Sequence, residues 1–308
     1  MCKIFALAMM FVFAAQSAFA APVVFFTKNI TPSGLMAIYE KLGRQASGKV
    51  AVKLSTGEAG NTHYLSPNLI KELVQKVNGT IVECNTAYGG SRASTAMHRQ
   101  VAEDHGFTKI AKVDIMDADG EISLPVSNGK HLTKNFVGAN LKDYDFVLVL
   151  THFKGHAMGG FGGAIKNISI GIASSHGKVV IHTAGTKDSG SIWYDDQDAF
   201  LESMAEAAKS VSDRFGHGER MLYISVMNHL SVDCDCDGNP SAPDMHDIGI
   251  LGSFDPVALD QACVDLVYKA LDGQSLIRRM ESRNGIHTLE HAEAIGLGSR
   301  TYELVSID

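Results

Sequence analysis

Short β-rich runs alternating with helical patterns constrain this chain more than any other feature. Lys49 to Leu54, Thr80 to Glu83, Phe146 to Leu150, Lys178 to His182 and Met221 to Val226 each read as a strand, and most of them break into polar, Gly-rich turns. Between them, Ser66 to Val77 carries Leu69, Ile70, Leu73, Val74 and Val77 at helical spacing, with Pro67 suited to a first turn. Ser94 to His105, closed by Gly106, reads as a helix, as does roughly Asp196 to Arg214. A last helix is expected from about Pro256 to Leu271, with Ser253 or Asp255 as its cap. This order predicts an α/β fold: a mostly parallel sheet with helices on both faces. In such sheets ligands gather at the carboxyl ends of the strands. That edge collects Glu58, Cys84, Asn85, Arg92, His152, Lys154, His156, His182, Cys234 and Cys236.

The densest chemistry follows the central run. Thr151 to Asn167 holds two histidines, His152 and His156, two lysines, Lys154 and Lys166, and five glycines that include Gly160, Gly162 and Gly163. Alternate side chains of an extended segment share a face, so His152, Lys154 and His156 are expected to project together. Glycines without Cβ atoms let backbone N–H groups approach a ligand. The spacing is neither that of a P-loop nor that of a dinucleotide fingerprint. Two imidazoles suit a metal, while Lys154 and Lys166 suit an anion or a covalent adduct.

Two further segments carry ligating groups. Asp233-Cys234-Asp235-Cys236-Asp237 places two thiols one residue apart, a chelate for a soft or borderline metal or a local disulfide; Asp244, His246 and Asp247 follow on the same loop. Flanking carboxylates raise a thiol pKa, which disfavours a freely nucleophilic cysteine. Cys84 to Arg92 offers Asn85 and an Arg92 fork for a carboxylate or phosphate, with His98 and His105 on one helical face beyond it. For those two histidines packing or capping explains as much as ligation does. Cys263, among Leu259, Ala262, Leu266 and Val267, reads as a buried apolar residue, and Trp193 carries no firm message.

Residues 1–20 read as a secretory signal peptide, with Lys3 before the apolar stretch Ile4 to Phe13 and Ala18-Phe19-Ala20 as the cleavage pattern. Without a twin arginine, Sec export with cleavage near Ala20 is expected, which places the product in the periplasm or outside the cell. Residues 21–308 then form a single α/β domain, with no segment long enough to cross a membrane. Removing Lys3 leaves 26 basic against 34 acidic residues, a net charge of −8. That balance, with the basic residues scattered, argues against nucleic acid and anionic membranes as partners.

At these residues the chain resembles the domain-of-unknown-function family numbered 362. The resemblance rests on Ser55-Thr56-Gly57-Glu58, Cys84-Asn85-Thr86-Ala87-Tyr88 with Arg92, and His152-Phe153-Lys154-Gly155-His156. It continues through Gly160 to Asn167, Cys234-Asp235-Cys236, Asp247 to Ile250, Asp255 to Gln261, and Gly285 to Gly298. The family implies no particular reaction. Many relatives carry a cysteine-rich ferredoxin segment after the Gly-rich block, whereas Ser174 to Asp198 here contains no cysteine. More remotely, the Gly-rich block is similar to that of nickel-pincer lactate racemases. That likeness implies Lys154 or Lys166 as an anchor and His152 or His156 as ligand or base.

Export narrows the chemistry. Iron–sulfur clusters and pincer cofactors are built on folded proteins inside the cell, whereas a Sec substrate crosses unfolded. The expectation is therefore a divalent metal on Cys234, Cys236, His152 and His156, with an iron–sulfur cluster ranked below it. Glu58, Asn85, Arg92, Lys154, Gly160, Gly162, Gly163, Lys166 and Asn167 would hold a small anionic ligand or substrate, with Lys154, His156 and Lys166 as catalytic candidates. The alternatives are a non-catalytic binding protein for a phosphate- or carboxylate-bearing molecule, with a structural disulfide, and then an iron–sulfur redox protein.

Overall fold

The computed structural model describes residues 20–308, so the expected leader lies outside the described residues except for Ala20. In chain order, β1 (Val23–Thr27) and α1 (Pro32–Leu42) precede β2 (Val50–Lys53), α2 (Pro67–Lys76), β3 (Thr80–Glu83), α3 (Thr95–Asp104) and β4 (Val113–Ile115). A hairpin of β5 (Glu121–Pro125) and β6 (Lys134–Gly138) leads into β7 (Phe146–His152). A second, short hairpin, β8 (Lys154–His156) with β9 (Gly160–Gly162), follows it directly. Next come α4 (Ala164–Ile168), α5 (Ser175–His182), α6 (Gln197–Arg214), β10 (Met221–Met227) and β11 (Gly249–Ser253). The chain ends with α7 (Pro256–Lys269), α8 (Gln274–Ser282), α9 (His287–Ala294) and β12 (Glu303–Ser306).

The main sheet has eight strands in the order β12-β1-β11-β10-β7-β2-β3-β4. From β10 to β4 every neighbouring pair is parallel, and only β11 runs antiparallel, between β10 and β1. Strand β7 shows why both faces are covered. Phe146, Leu148 and Leu150 join the core under α1 and α2, while Val147 and Val149 join the core under α4, α6 and α7. A strand buried on both faces is apolar at every position, which is how this run reads. Helix starts follow local chemistry: Asp196 accepts the Ala199 N–H, and Asp255 accepts those of Val257 and Ala258, just before Pro256 opens α7.

Two expectations fail. Lys178 to His182 forms the end of α5 rather than a strand. Ser174 caps that helix through the Gly177 N–H, and Val180 and Ile181 pack beneath Phe200, Leu201 and Met204 of α6. Three consecutive β-branched residues mimic a strand, but Lys178 and His182, four apart, share one helical face. The helix from Pro256 is also not the last, since α8 and α9 follow it and close the second face. No helix among the described residues is long and apolar enough to cross a membrane.

Candidate functional site

The loops at the carboxyl ends of β2, β3, β7 and β10 surround a cavity of about 610 Å³. Every residue gathered at this edge by sequence lines it except Asn85. Asn85 instead donates to Thr95 Oγ1 and pairs with His98 Nδ1, so it braces α3.

One buried carboxylate fastens the Cys-Asp-Cys loop to the Gly-rich segment. Asp235 Oδ2 lies 3.0 Å from His152 Nδ1, and its Oδ1 lies 3.0 Å from Lys154 Nζ. Burial opposes the charge of Asp235, yet His152 and Lys154 together hold its carboxyl below the usual range. The same loop is tied down by the Glu58 N–H to the Asp235 carbonyl, the Asn61 amide to the Asp237 carbonyl, and the Tyr88 hydroxyl to the Cys236 carbonyl. These contacts use up two expected site residues. His152 Nε2 also donates to the Asn228 carbonyl at 2.7 Å, so both of its nitrogens face oxygens and neither lone pair is free for a metal. Lys154 gives its remaining reach to the His63 carbonyl at 2.7 Å.

Arg92 is spent in the same way. Its Nε meets Glu58, its Nη1 meets Glu83 and Ser55, and its Nη2 meets the Tyr88 hydroxyl. Glu83, buried between Arg92 and His98, also accepts the Thr56 N–H and hydroxyl. Glu58 accepts the Ser91 N–H at 2.6 Å. This network is a wall of the cavity, and the fork expected to hold an external anion closes on internal carboxylates. His105 is structural too: it stacks on Tyr64 and bonds to the Thr56 carbonyl.

The glycine block also differs from expectation. The Ala164 and Ile165 N–H groups, which would cradle an anion, donate to the buried Asp260 carboxylate at 2.7 and 3.0 Å. A Cβ on Gly163 would stand 2.4 Å from that carboxylate, so glycine here admits Asp260 rather than a ligand. Burial pushes the Asp260 carboxyl up to about 7. Gly160, at φ +79°, packs against Met280 and Gly285 away from the cavity. Gly162 and Gly163 do line it. Asn167 is consumed by Lys53, Leu150 and Thr151. His246 pairs with Asp272 at the surface, and Asp247 accepts the His229 N–H.

The groups not tied into these buried ion pairs lie close together. One nitrogen of His156 and the sulfurs of Cys234 and Cys236 lie within 4.8 Å of one another, a set able to hold a metal ion. In the structure the two cysteines are joined as a disulfide, while Cys84 and Cys263 are free and buried. His156 Nδ1 accepts the Met158 and Gly159 N–H groups at 3.2 and 2.9 Å, which places the ring proton on Nε2. Burial and the Lys166 charge push its pKa well below 6.5, so the ring is neutral. His182 has the opposite tautomer: Nδ1–H donates to the Lys178 carbonyl at 2.6 Å, leaving Nε2 as an acceptor, and burial lowers its pKa to about 4. The Lys166 ammonium has no hydrogen-bond or ion-pair partner among the described residues. Burial, then the cations of Lys53, Arg92 and Lys178, lowers its ammonium pKa to about 8.

Lys53, Lys178, Glu83 and Asp260 are the buried ionisable groups that sequence reasoning did not assign to the site. Lys53 had a visible signal, a lysine closing an apolar strand; burial lowers it to about 8 while it donates to the Leu54 carbonyl and Asn167. Trp193, 67% exposed, also lines the cavity.

Two outcomes check this description. Asp235→Ala leaves His152 and Lys154 buried without their counter-charge and should lower unfolding free energy by about 3–5 kcal/mol in denaturant titrations; a loss below about 1 kcal/mol would contradict the fastening role. Competitive acetylation read by peptide mass spectrometry should show Lys166 reactivity rising with pH to about 8 and then levelling. A lysine in an unstructured model peptide added to the same mixture should keep rising to about 10. Lys166 following that peptide lysine would refute the lowered pKa.

No curated protein matches the sequence. Among solved structures, the lactate racemase apoprotein from Thermoanaerobacterium thermosaccharolyticum is similar, with 13% identity and a TM-score of 0.50 over 81% of this chain and 57% of that one. A Thermotoga maritima protein follows, with 13% identity and a TM-score of 0.43 over 85% of this chain and 58% of that one. The chain thus spans little more than half the length of either, and the first likeness is one of fold. The family Domain of unknown function (DUF362) matches residues 50–265, a span that contains every residue lining the cavity. On that match, this chain is a member of the DUF362 family.

Proposed function

We propose that the protein holds a divalent metal ion on Cys234, Cys236 and His156 once the two cysteines are reduced, and that Lys166 binds an anionic small molecule beside it. The observation that carries this reading is the convergence of two sulfurs and one imidazole nitrogen within 4.8 Å in the wall of a cavity. Two thiolates and an imidazole suit a borderline metal such as zinc. Three protein ligands leave a coordination position for a ligand from the cavity, as in catalytic rather than structural sites. His152, expected as a fourth ligand, is held by Asp235 and Asn228.

The remaining groups supply complementary chemistry. Lys166 offers positive charge below about pH 8 and a nucleophilic amine above it. His182 offers a neutral acceptor for a proton or hydroxyl. The metal must displace one existing arrangement, because His156 can offer a lone pair beside the sulfurs only if the turn bonds from Met158 and Gly159 yield. An envelope location, for which residues 1–20 argue, suits a metal acquired after folding.

A second reading draws on the bonded state of Cys234 and Cys236. The protein then binds an anionic ligand through Lys166 and uses the disulfide to close its loop. Zinc content separates the two. Mild reduction of the folded protein should raise bound zinc by about one ion per chain. Cys234→Ser with Cys236→Ser should abolish that increment, and amide exchange at Met158 and Gly159 should quicken on loading. No increment on reduction would sink the metal reading and leave the second.

A further inference from the structure

Lysines from different elements meet in the cavity wall without a counter-ion. Lys53 closes β2, Lys166 lies in α4 and Lys178 in α5, and all of them line the cavity. Lys53 and Lys178 are buried, at 2% and 6% exposure. The carboxylates that line the same cavity are matched elsewhere. Arg92 holds Glu58 and Glu83, Lys154 holds Asp235, and Arg279 holds Asp233. Asp237, at the exposed rim, accepts the Asn239 N–H. Lys53, Lys166 and Lys178 are thus left with no ion-pair partner among the described residues.

Their hydrogen bonding is incomplete as well. An ammonium carries three donors. Lys53 spends two, on the Leu54 carbonyl at 2.6 Å and Asn167 Oδ1 at 2.8 Å, and Lys178 spends one, on the Ala173 carbonyl at 2.5 Å. Neutral carbonyls answer part of the hydrogen bonding and none of the charge. Beyond the larger effect of burial, Lys53 and Lys178 each lower the Lys166 ammonium, and Lys178 lowers Lys53, so the cations share one electrostatic neighbourhood. Buried charges are ordinarily paired, and a fold gains nothing by gathering several without an anion.

The rest of the lining indicates what kind of anion fits. Arginine forks suit planar carboxylates, and Arg92 is already closed on Glu58 and Glu83; ammonium groups act as point charges that suit a compact tetrahedral dianion. Met158, Ile170, Ile192 and the exposed Trp193 make another part of the wall apolar. We propose that Lys53, Lys166 and Lys178 together seat the doubly charged head of a phosphate monoester, whose apolar part lies against Ile192 and Trp193. This assignment rests on the reading in which Lys166 binds an anion and extends it. The competing account makes Lys53 and Lys178 braces that hold Leu54, Asn167 and Ala173 by hydrogen bonds alone.

The test uses the whole oxidised, metal-free protein at about pH 7, where a phosphate monoester is mostly a dianion. Phenyl phosphate, inorganic phosphate and benzoate are titrated calorimetrically, and the emission of Trp193, the single tryptophan, is followed in parallel. Phenyl phosphate should bind at least about tenfold more tightly than benzoate and shift Trp193 emission. Inorganic phosphate should displace it without that shift. Lys53→Met and Lys178→Met should each weaken phenyl phosphate about tenfold or more, with no loss of Tm, since each removes an unpaired buried charge. Trp193→Ala should weaken phenyl phosphate about two- to tenfold and leave inorganic phosphate unchanged. Should Lys53→Met fail to fold, Lys178→Met decides alone. Full affinity in Lys178→Met would overturn the proposal in favour of bracing. Equal binding of benzoate and phenyl phosphate, lost in Lys166→Met, would overturn it and spare the Lys166 reading, whereas no binding of any probe would overturn both.

Discussion

The ion pair of Asp235 with His152 and Lys154 is the contact on which the site depends. The Cys-Asp-Cys loop follows β10 and the Gly-rich segment follows β7, so the two belong to neighbouring parallel strands and end at the same edge. Adjacent strand ends do not by themselves set side-chain geometry. Asp235 does, because its carboxylate is buried against the Lys154 ammonium and the His152 ring: removing the carboxylate or the ammonium strands a charge in the interior. The cysteines on either side of Asp235 are then held beside His156. The second network, Arg92 with Glu58 and Glu83, fixes the opposite wall by the same logic.

Much of the polar chemistry that looks functional in sequence is thus internal scaffolding. Arg92, Lys154, His152, Asn85 and Asn167 all complete buried hydrogen bonds, and the glycine loop's free N–H groups receive Asp260. A cavity rich in ionisable groups needs such pairing, since each unpaired buried charge costs several kcal/mol. Against that background the groups without internal partners stand out. Lys166 has no partner among the described residues, and His182 turns an acceptor away from its own helix. The sulfurs of Cys234 and Cys236 exist here as a disulfide, which couples any metal chemistry at this edge to thiol oxidation.

The α/β order, the parallel central strands and the assembly of the site at their carboxyl ends were legible because periodicity reports burial directly. The strand misassignment at Lys178–His182 shows the limit: β-branched residues outweighed an i, i+4 polar pair that only makes sense once α6 is in place. Residue types at the site were legible too, since histidine, lysine and cysteine at strand ends are chemically conspicuous. Which of them pair with each other was not. His152 and His156 are indistinguishable in sequence, and a buried aspartate 83 positions away holds one, while the other is engaged only by the N–H groups of its own turn.

The fold likeness to a lactate racemase apoprotein extends to just over half of that protein and leaves the reaction open. The central claim concerns ligands rather than reaction: reduction converts the Cys234–Cys236 bridge into a thiolate metal site. X-ray absorption at the zinc edge of the reduced, zinc-loaded protein tests it directly. The account predicts sulfur scatterers at about 2.3 Å that vanish in Cys234→Ser with Cys236→Ser. A first shell of only nitrogen and oxygen at about 2.0 Å would contradict it.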